Sequence, residues 1–459
     1  MSRLAPFVAA LLFALAARPS SATEVPSDHD LLPEGISGEQ AKRVRSDAIR
    51  RAHVWQKPRV PIEEADLLTG NDPFLQLDDQ VTCDYVDWPL GGSVPKFLCR
   101  LESGEIVKIK FGDPDEASTR EIPAEVAASR LLRVLGFGAD RMDMVRRVNC
   151  RGCAGVWEEE CRRRQSRPGE SASRGRRSRR CVAPPGDVVS FDWVSVERLM
   201  EGRTLRGGRD EGWSWRDDLA RVDTSLASSS NQAELDAFRL IITFIESVDT
   251  KSGNQRLVCL SGGASDQNHN LCARPFMIMH DLGATFGKPG ALSVSGAKFK
   301  LGGWQRQEVW KEKGSCTTNP DHGRKYTFDP YPISEEGRQF LASLLSRLSL
   351  RQIKDLFRGV HADMWPDQGT EELSVDELVG RSLRYRSEAE LLKVFDVSAA
   401  MTRATGPKDA ELTIQGIEDA RLRAELRLLA WTTVFEEKRS AVTRQRCGRQ
   451  WGSTPRSSN

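Results

Sequence analysis

The 459-residue sequence predicts an α+β fold in two parts, a small β-rich N-terminal part carrying one key helix and a mainly helical C-terminal part. Three observations carry that expectation. From residue 81 the chain runs in short segments of alternating polarity broken by Gly91-Gly92, the pattern of paired strands. From Trp213 onward apolar residues recur at three- and four-residue steps, which is the helical period. Between helical segments, Pro275-Phe-Met-Ile-Met279 is an apolar run short enough for a buried strand, and it delivers Asp281 onto a turn containing Gly283.

Taken in order, the chain opens with Met1-Ser2-Arg3 and an almost wholly apolar stretch, 4–17, followed by the small residues Ser20, Ser21 and Ala22. This has the form of a secretory signal peptide over 1–22, cleaved after Ala22. The alternative is a membrane anchor, but the stretch is shorter than the roughly 20 residues of a spanning helix. No later segment is long enough either. The expected product is therefore exported, periplasmic or secreted, with no stable membrane span after cleavage. Residues 23–80 are polar and punctuated by proline, with one helical patch over 38–54, and read as an extension that wraps the main body.

Residues 81–200 form the β-rich part. Strands are expected over 81–88, 96–101 and 105–111. In the last of these the alternation puts Lys108 and Lys110 on one face and sends Val107, Ile109 and Phe111 to the other. A helix follows, with Pro123 in its first turn, an apolar face of Val126, Ala127, Leu131, Leu132, Val134 and Leu135, and Gly136 as its stop. Glu125 falls in its first turn, where the helix dipole favours a carboxylate that can reach back to a strand lysine. The arginine-rich stretch 161–181 cannot bury a core and reads as a disordered insertion. A strand over 188–196 and a connector lead into the second part.

Residues 201–440 carry the helices. Leu235, Phe238, Ile242 and Ile245, widened by Ile241 and Phe244, mark a buried helix ending just before Asp249. Further helical patterns cover 334–348, 350–357, 387–395 and 417–438, and a basic tail, 441–459, closes the chain.

Composition narrows the function. A net charge of +2 argues against a dedicated nucleic-acid binder. Ten cysteines in an exported chain favour disulfides. Cys150-x-x-Cys153 opens a zinc alternative, but no nearby histidine completes it. Cys83 and Cys99 are equidistant from Gly91, so a hairpin turning there brings them opposite each other. Cys259 and Cys272 flank a Gly/Ser/Asn-rich loop between two apolar strands and form the second expected pair.

The chemistry concentrates in Asp249-x-Lys251-x-x-Asn254 and Asp281-Leu282-Gly283. An aspartate can accept the proton of a substrate hydroxyl, a lysine can steady a transferring phosphoryl group, and an asparagine with a second aspartate can hold magnesium. Magnesium takes oxygen ligands, which an amide and a carboxylate supply.

The whole order is a glycine hairpin, lysine strand, glutamate helix, connector strand, long helix, Asp-x-Lys-x-x-Asn, strand and Asp-Leu-Gly. It resembles the bilobal protein-kinase-like fold, closest to the atypical branch of HipA-type, phosphoinositide and secretory-pathway kinases, over roughly residues 81–290. The segment Ala124-Glu-Val-Ala-Ala-Ser-Arg-Leu-Leu132 with Gly136-Phe-Gly-Ala-Asp140 also looks like one found in exported bacterial proteins of this type. The resemblance implies ATP and Mg2+ as cofactors and an exported phosphotransferase acting on a protein, lipid or small-molecule hydroxyl. It implies Asp249 as catalytic base or hydroxyl-orienting acid, Lys251 as phosphoryl support, and Asn254 and Asp281 as metal ligands. Lys108 or Lys110 would contact the nucleotide phosphates while paired with Glu125, under a cover of Gly91, Gly92 and Ser93. The chain departs from the family in lacking His-Arg before Asp249 and a full G-x-G-x-x-G, and in carrying Leu282 after Asp281. Two other readings use the same residues: a kinase-fold binding protein without catalysis, and a disulfide-stapled extracellular interaction protein.

Overall fold

The computed structural model describes residues 38–447 apart from 72–74, 93, 113–118, 166–180, 199–201, 206–211, 261–271, 273, 288–297, 313, 321–328 and 366–419. The expected signal segment, the helix over 387–395, most of the arginine-rich insertion and Ser93 lie outside the described residues. Within them the protein is a mixed α+β structure built on two large apolar cores.

The first core fills a barrel. The strands β1 (Gln80–Val86), β2 (Lys96–Leu101), β3 (Ile106–Lys110), β4 (Gly138–Ala139), β5 (Arg141–Arg151) and β6 (Val188–Arg198) precede the helical part. All but β4 close a barrel in the order β1-β2-β3-β6-β5, antiparallel except for the parallel β1–β5 pair that shuts it. The alternation expected of β3 is what fills it: Val107, Ile109 and Phe111 point inward. There they join Phe97 and Phe191, with the rings of Phe97, Phe111 and Phe191 spaced 4.4–5.7 Å apart, within the range of favourable aromatic packing. Lys108 and Lys110 consequently share the outer face.

The second core holds α1 (Gly38–Arg50), α2 (Glu121–Leu135), α4 (Gln232–Phe244), α6 (Glu335–Ser346), α7 (Leu350–Arg358) and α8 (Ala420–Arg444). Two further helices, α3 (Ala154–Gln165) beside the barrel and α5 (Leu301–Arg306), complete the set among the described residues. A sheet of order β4-β9-β8-β7, with β7 (Arg203–Thr204), β8 (Gln255–Cys259) and β9 (Pro275–Met279), runs through this half. α4 starts with a reciprocal cap between Asn231 and Glu234, which satisfies donors the helix itself leaves unpaired. α2 lies between the two cores, touching β5 and β6 on one side and α7 on the other, and only Arg133 of its residues is not buried.

Several expectations are sharpened. α2 begins at Glu121, so Glu125 stands in the second turn rather than the first. Residues 38–71 are stitched into the main body: Ala48, Ile49, Ala52 and Val54 enter the second core, His53 pairs with Phe276, and Trp55 pairs with Phe137. The described start of the basic tail is also packed, because Arg338 donates to the carbonyls of Val442 and Thr443 at 2.9 and 3.1 Å and Cys447 is bridged to Cys316.

All ten cysteines are paired, as Cys83–Cys99, Cys150–Cys153, Cys161–Cys181, Cys259–Cys272 and Cys316–Cys447. Such a set suits an oxidising compartment. The strand register places Cys99 opposite Tyr85 and Cys83 opposite Leu101, so the hairpin is centred one residue beyond Gly91. The Cys83–Cys99 bridge therefore runs diagonally, with Cα atoms 5.7 Å apart. Cys150 and Cys153 bridge each other and so offer no thiolate to zinc. Among the described residues no helix is long and apolar enough to cross a membrane.

Candidate functional site

The site forms where α2 meets the outer face of β3 and the loops that follow α4 and β9. At its centre the Lys110 ammonium pairs with the Glu125 carboxylate, and both side chains are about 1–2% exposed. Lys110 also stands 3.5 Å from Glu121 and 3.9 Å from Glu197. Burial alone would lower the Lys110 pKa, but Glu125, Asp281 and Glu121 outweigh it and hold the group well above the usual lysine range. Burial pushes the Glu125 carboxyl up to about 7 against the pull of Lys110. Lys108, two residues away on the same face, pairs instead with Glu197 of β6 at 2.5 Å. The strand thus sends its two lysines to different carboxylates.

The position of α2 depends on two glycines. Gly136 ends the helix in the left-handed region at φ +93°, and a Cβ there would stand 2.2 Å from the Gln56 carbonyl oxygen. Gly283 lies so close to the start of α2 that a Cβ would stand 1.9 Å from Cγ of Glu121. This closeness brings the carboxylates of Glu121, Glu125 and Asp281 within 4.8 Å of one another. Lys298 closes the group from the far side at 2.8 Å from Glu121.

Asp281 leaves β9 and accepts the Gly283 N–H on Oδ1 at 3.1 Å. Burial opposes its ionisation, but Lys110, that N–H, His280 and Lys96 together hold its carboxyl well below the usual range. Asp249 follows α4 in the neighbouring loop. Lys251 pairs with Asp249 Oδ2 at 2.9 Å, while Asp249 Oδ1 is buried without a hydrogen-bond partner among the described residues. Asn254 ties the two loops together. Its side-chain amide donates to the Asp249 carbonyl at 2.7 Å, and its own carbonyl accepts the N–H groups of His280 and Asp281 at 2.8 and 3.1 Å.

Behind these residues His280 Nδ1 contacts Asp140, Arg256 reaches the same aspartate at 3.4 Å, and Glu197 lies 3.9 Å from the imidazole. Burial would lower the His280 pKa, but Asp140 and Glu197 raise it above the usual histidine value. Glu197 thereby links the Lys108–Lys110 face to the Asp281 loop.

Of the residues singled out from sequence, Lys110, Glu125 and Asp281 converge, and Asp249, Lys251 and Asn254 share the adjoining loop. Lys108 belongs to Glu197, and Gly91 and Gly92 form the β1–β2 turn, with Gly92 in the left-handed region at φ +104°. Sequence reasoning missed Glu121, Glu197 and Lys298. Glu121 had a usable signal, since it precedes Glu125 by one helical turn and shares its face. Glu197 and Lys298 reach the site only through long-range packing. The assembled groups provide ionised carboxylate, amide oxygen and lysine side by side, a set able to hold a cation and an anion together. Comparison of the chain with known protein families, with curated proteins and with solved structures gave no match.

Proposed function

We propose that the protein is an ATP- and magnesium-dependent phosphotransferase acting on a hydroxyl acceptor, a bilobal kinase-like enzyme in which the barrel and the helical half are the two lobes. The observation that carries this reading is the buried Lys110–Glu125 pair set against Asp281, with Asp249 held in the adjoining loop. Nothing in packing alone requires an ionised aspartate beside a buried ion pair, and perturbed buried carboxylates gather where chemistry is done.

The residues fit magnesium. Asp281 is held ionised, Asn254 is its backbone neighbour and offers an amide oxygen, and Asp249 Oδ1 is a buried carboxylate oxygen with no donor. Asp281 and Asn254 would be its ligands, and the ion would neutralise phosphate charge as the transfer proceeds. Lys110 holds Glu125 and Asp281 in place and keeps positive charge facing the phosphates. The acceptor oxygen forms a bond to the γ-phosphorus while the β,γ-bridging P–O bond breaks, releasing ADP, and the hydroxyl proton passes to Asp249. Lys251, 2.9 Å from Asp249, would steady the phosphoryl group.

The test is incubation of the protein with γ-labelled ATP and magnesium, scoring label on itself and on candidate hydroxyl acceptors. Transfer that disappears in Asp249→Asn and Asp281→Asn supports the reading. Undiminished transfer in both variants, or no nucleotide binding in the wild type, defeats it.

A further inference from the structure

Each cation at the site but one has its own carboxylate. Lys110 pairs with Glu125, Lys108 with Glu197 and Lys298 with Glu121. Two charged groups are left, Lys96 and Asp281, and no ion pair joins them or engages Lys96 among the described residues. The strand register puts Lys96 opposite Lys110 and Leu98 opposite Lys108, so all three lysines share the outer face of the barrel. The Lys96 ammonium ends at the β1–β2 turn, 2.7 Å from where a Cβ on Gly92 would stand. It is half-buried there, and burial together with the neighbouring Lys110 and Lys108 lowers its pKa, with Glu121 and Asp281 only partly opposing. A desolvated cation crowded by two others, with no carboxylate paired to it among the described residues, calls for an anion.

We propose that Lys96 is a phosphate-binding residue, gripping a polyphosphate laid between the Gly91-Gly92 turn and Asp281. The anion completes the pairing that the side chains leave open. Lys96 takes a phosphate oxygen at one end, and a divalent cation riding on the phosphates meets Asp281 at the other. The committed pair, Lys110–Glu125, then serves to order the carboxylates, and the free lysine makes the phosphate contact. The anion site stands on this geometry alone, and only the identity of the polyphosphate as ATP rests on the phosphotransferase reading.

The experiment is calorimetric binding of magnesium tripolyphosphate, magnesium ATP and free adenosine to the wild type, Lys96→Met and Lys96→Gln. Lys42→Met serves as control, because it removes the same charge from an exposed site on α1. Melting of each unliganded variant reports that it is folded, and the Lys96 variants are expected to melt no lower than wild type because they relieve the crowding of three lysines. The expected result is that both polyphosphates bind the wild type and bind both Lys96 variants about tenfold or more weakly, the loss of one charge-assisted hydrogen bond. Adenosine binding and Lys42→Met should be unaffected. Wild-type protein that binds no tripolyphosphate, or Lys96 variants that bind it as wild type does, overturns the inference. Lys96-dependent tripolyphosphate binding with no preference for ATP and no transfer leaves the inference standing and removes the phosphotransferase. Transfer from ATP that ignores Lys96 does the reverse.

Discussion

Lys110 is the residue whose loss should be felt most, and the asymmetry of its surroundings gives the order of the effects. Replacing it with methionine leaves Glu125, about 1% exposed, with no cation in ion-pair contact while Glu121 and Asp281 remain close by. Breaking one side of a buried pair typically costs about 3–5 kcal/mol, and the neighbouring carboxylates put Lys110→Met at the upper end. Glu125→Gln strands its partner less severely, because Lys110 keeps Glu121 at 3.5 Å and Glu197 at 3.9 Å. It should cost about half as much or less. The double variant removes the charge that the single lysine variant leaves bare, so it should be more stable than Lys110→Met alone. Urea unfolding followed by fluorescence and circular dichroism measures all four corners of the cycle. A Lys110→Met cost under about 1 kcal/mol, or a double variant less stable than Lys110→Met, refutes the argument.

Three further outcomes are expected. Removing the Cys316–Cys447 bridge with paired serines, which opens a loop of 131 residues, should lower stability by about 5 kcal/mol on the chain-entropy estimate. The Cys259–Cys272 bridge, with a separation of 13, should cost about 3 kcal/mol, and equal losses in denaturant titrations would contradict a loop-length origin. Gly136→Ala forces a side chain into left-handed backbone 2.2 Å from a carbonyl and should destabilise by at least about 1–3 kcal/mol; a neutral result in thermal melts would show that the α2 exit is not fixed as described. Lys438 on α8 is buried, which lowers its pKa from 10.5 to about 8, with Glu246 and Glu308 opposing in part. Below pH 8 both folded and unfolded chains carry that proton and the full penalty of burying the charge is present. Between about pH 8 and 10.5 only the unfolded chain keeps it, so stability should rise with pH by up to about 3 kcal/mol. Lys438→Met should lack that rise, and parallel curves for the two proteins would contradict the assignment.

What could be read from the residues beforehand was whatever local periodicity and spacing encode. The alternation in β3, the apolar face of α4, the Gly136 stop and the apolar run of β9 each follow from a repeat within a dozen residues. Cys259–Cys272 was legible because one loop joins the two strands, and Cys83–Cys99 because one hairpin does. The Cys316–Cys447 bridge was not, since nothing local couples residues so far apart. The same holds for Glu197 and Lys298, which come to the site from β6 and from beyond β9. Which of Lys108 and Lys110 pairs with Glu125 could not be told from a strand that presents both on one face. It is decided by which carboxylate α2 and β6 bring to each, a property of tertiary packing. Lys96 escaped notice because an isolated lysine at a strand start is ordinary until its register neighbour is known.

The parallel closure of β1 on β5 has a further consequence for how this protein meets its neighbours. β5 and β6 are the longest strands described, 11 residues each, and barrel closure gives each a second partner over part of its length, β1 along 147–151 of β5 and β3 along 195–197 of β6. The open sheet is bounded by β4 and β7, of only 2 residues apiece. A strand that short displays too little bare backbone to recruit another chain. Where the long strands are paired on both sides they offer no bare edge to a second copy, so barrel closure removes those stretches from intermolecular sheet formation.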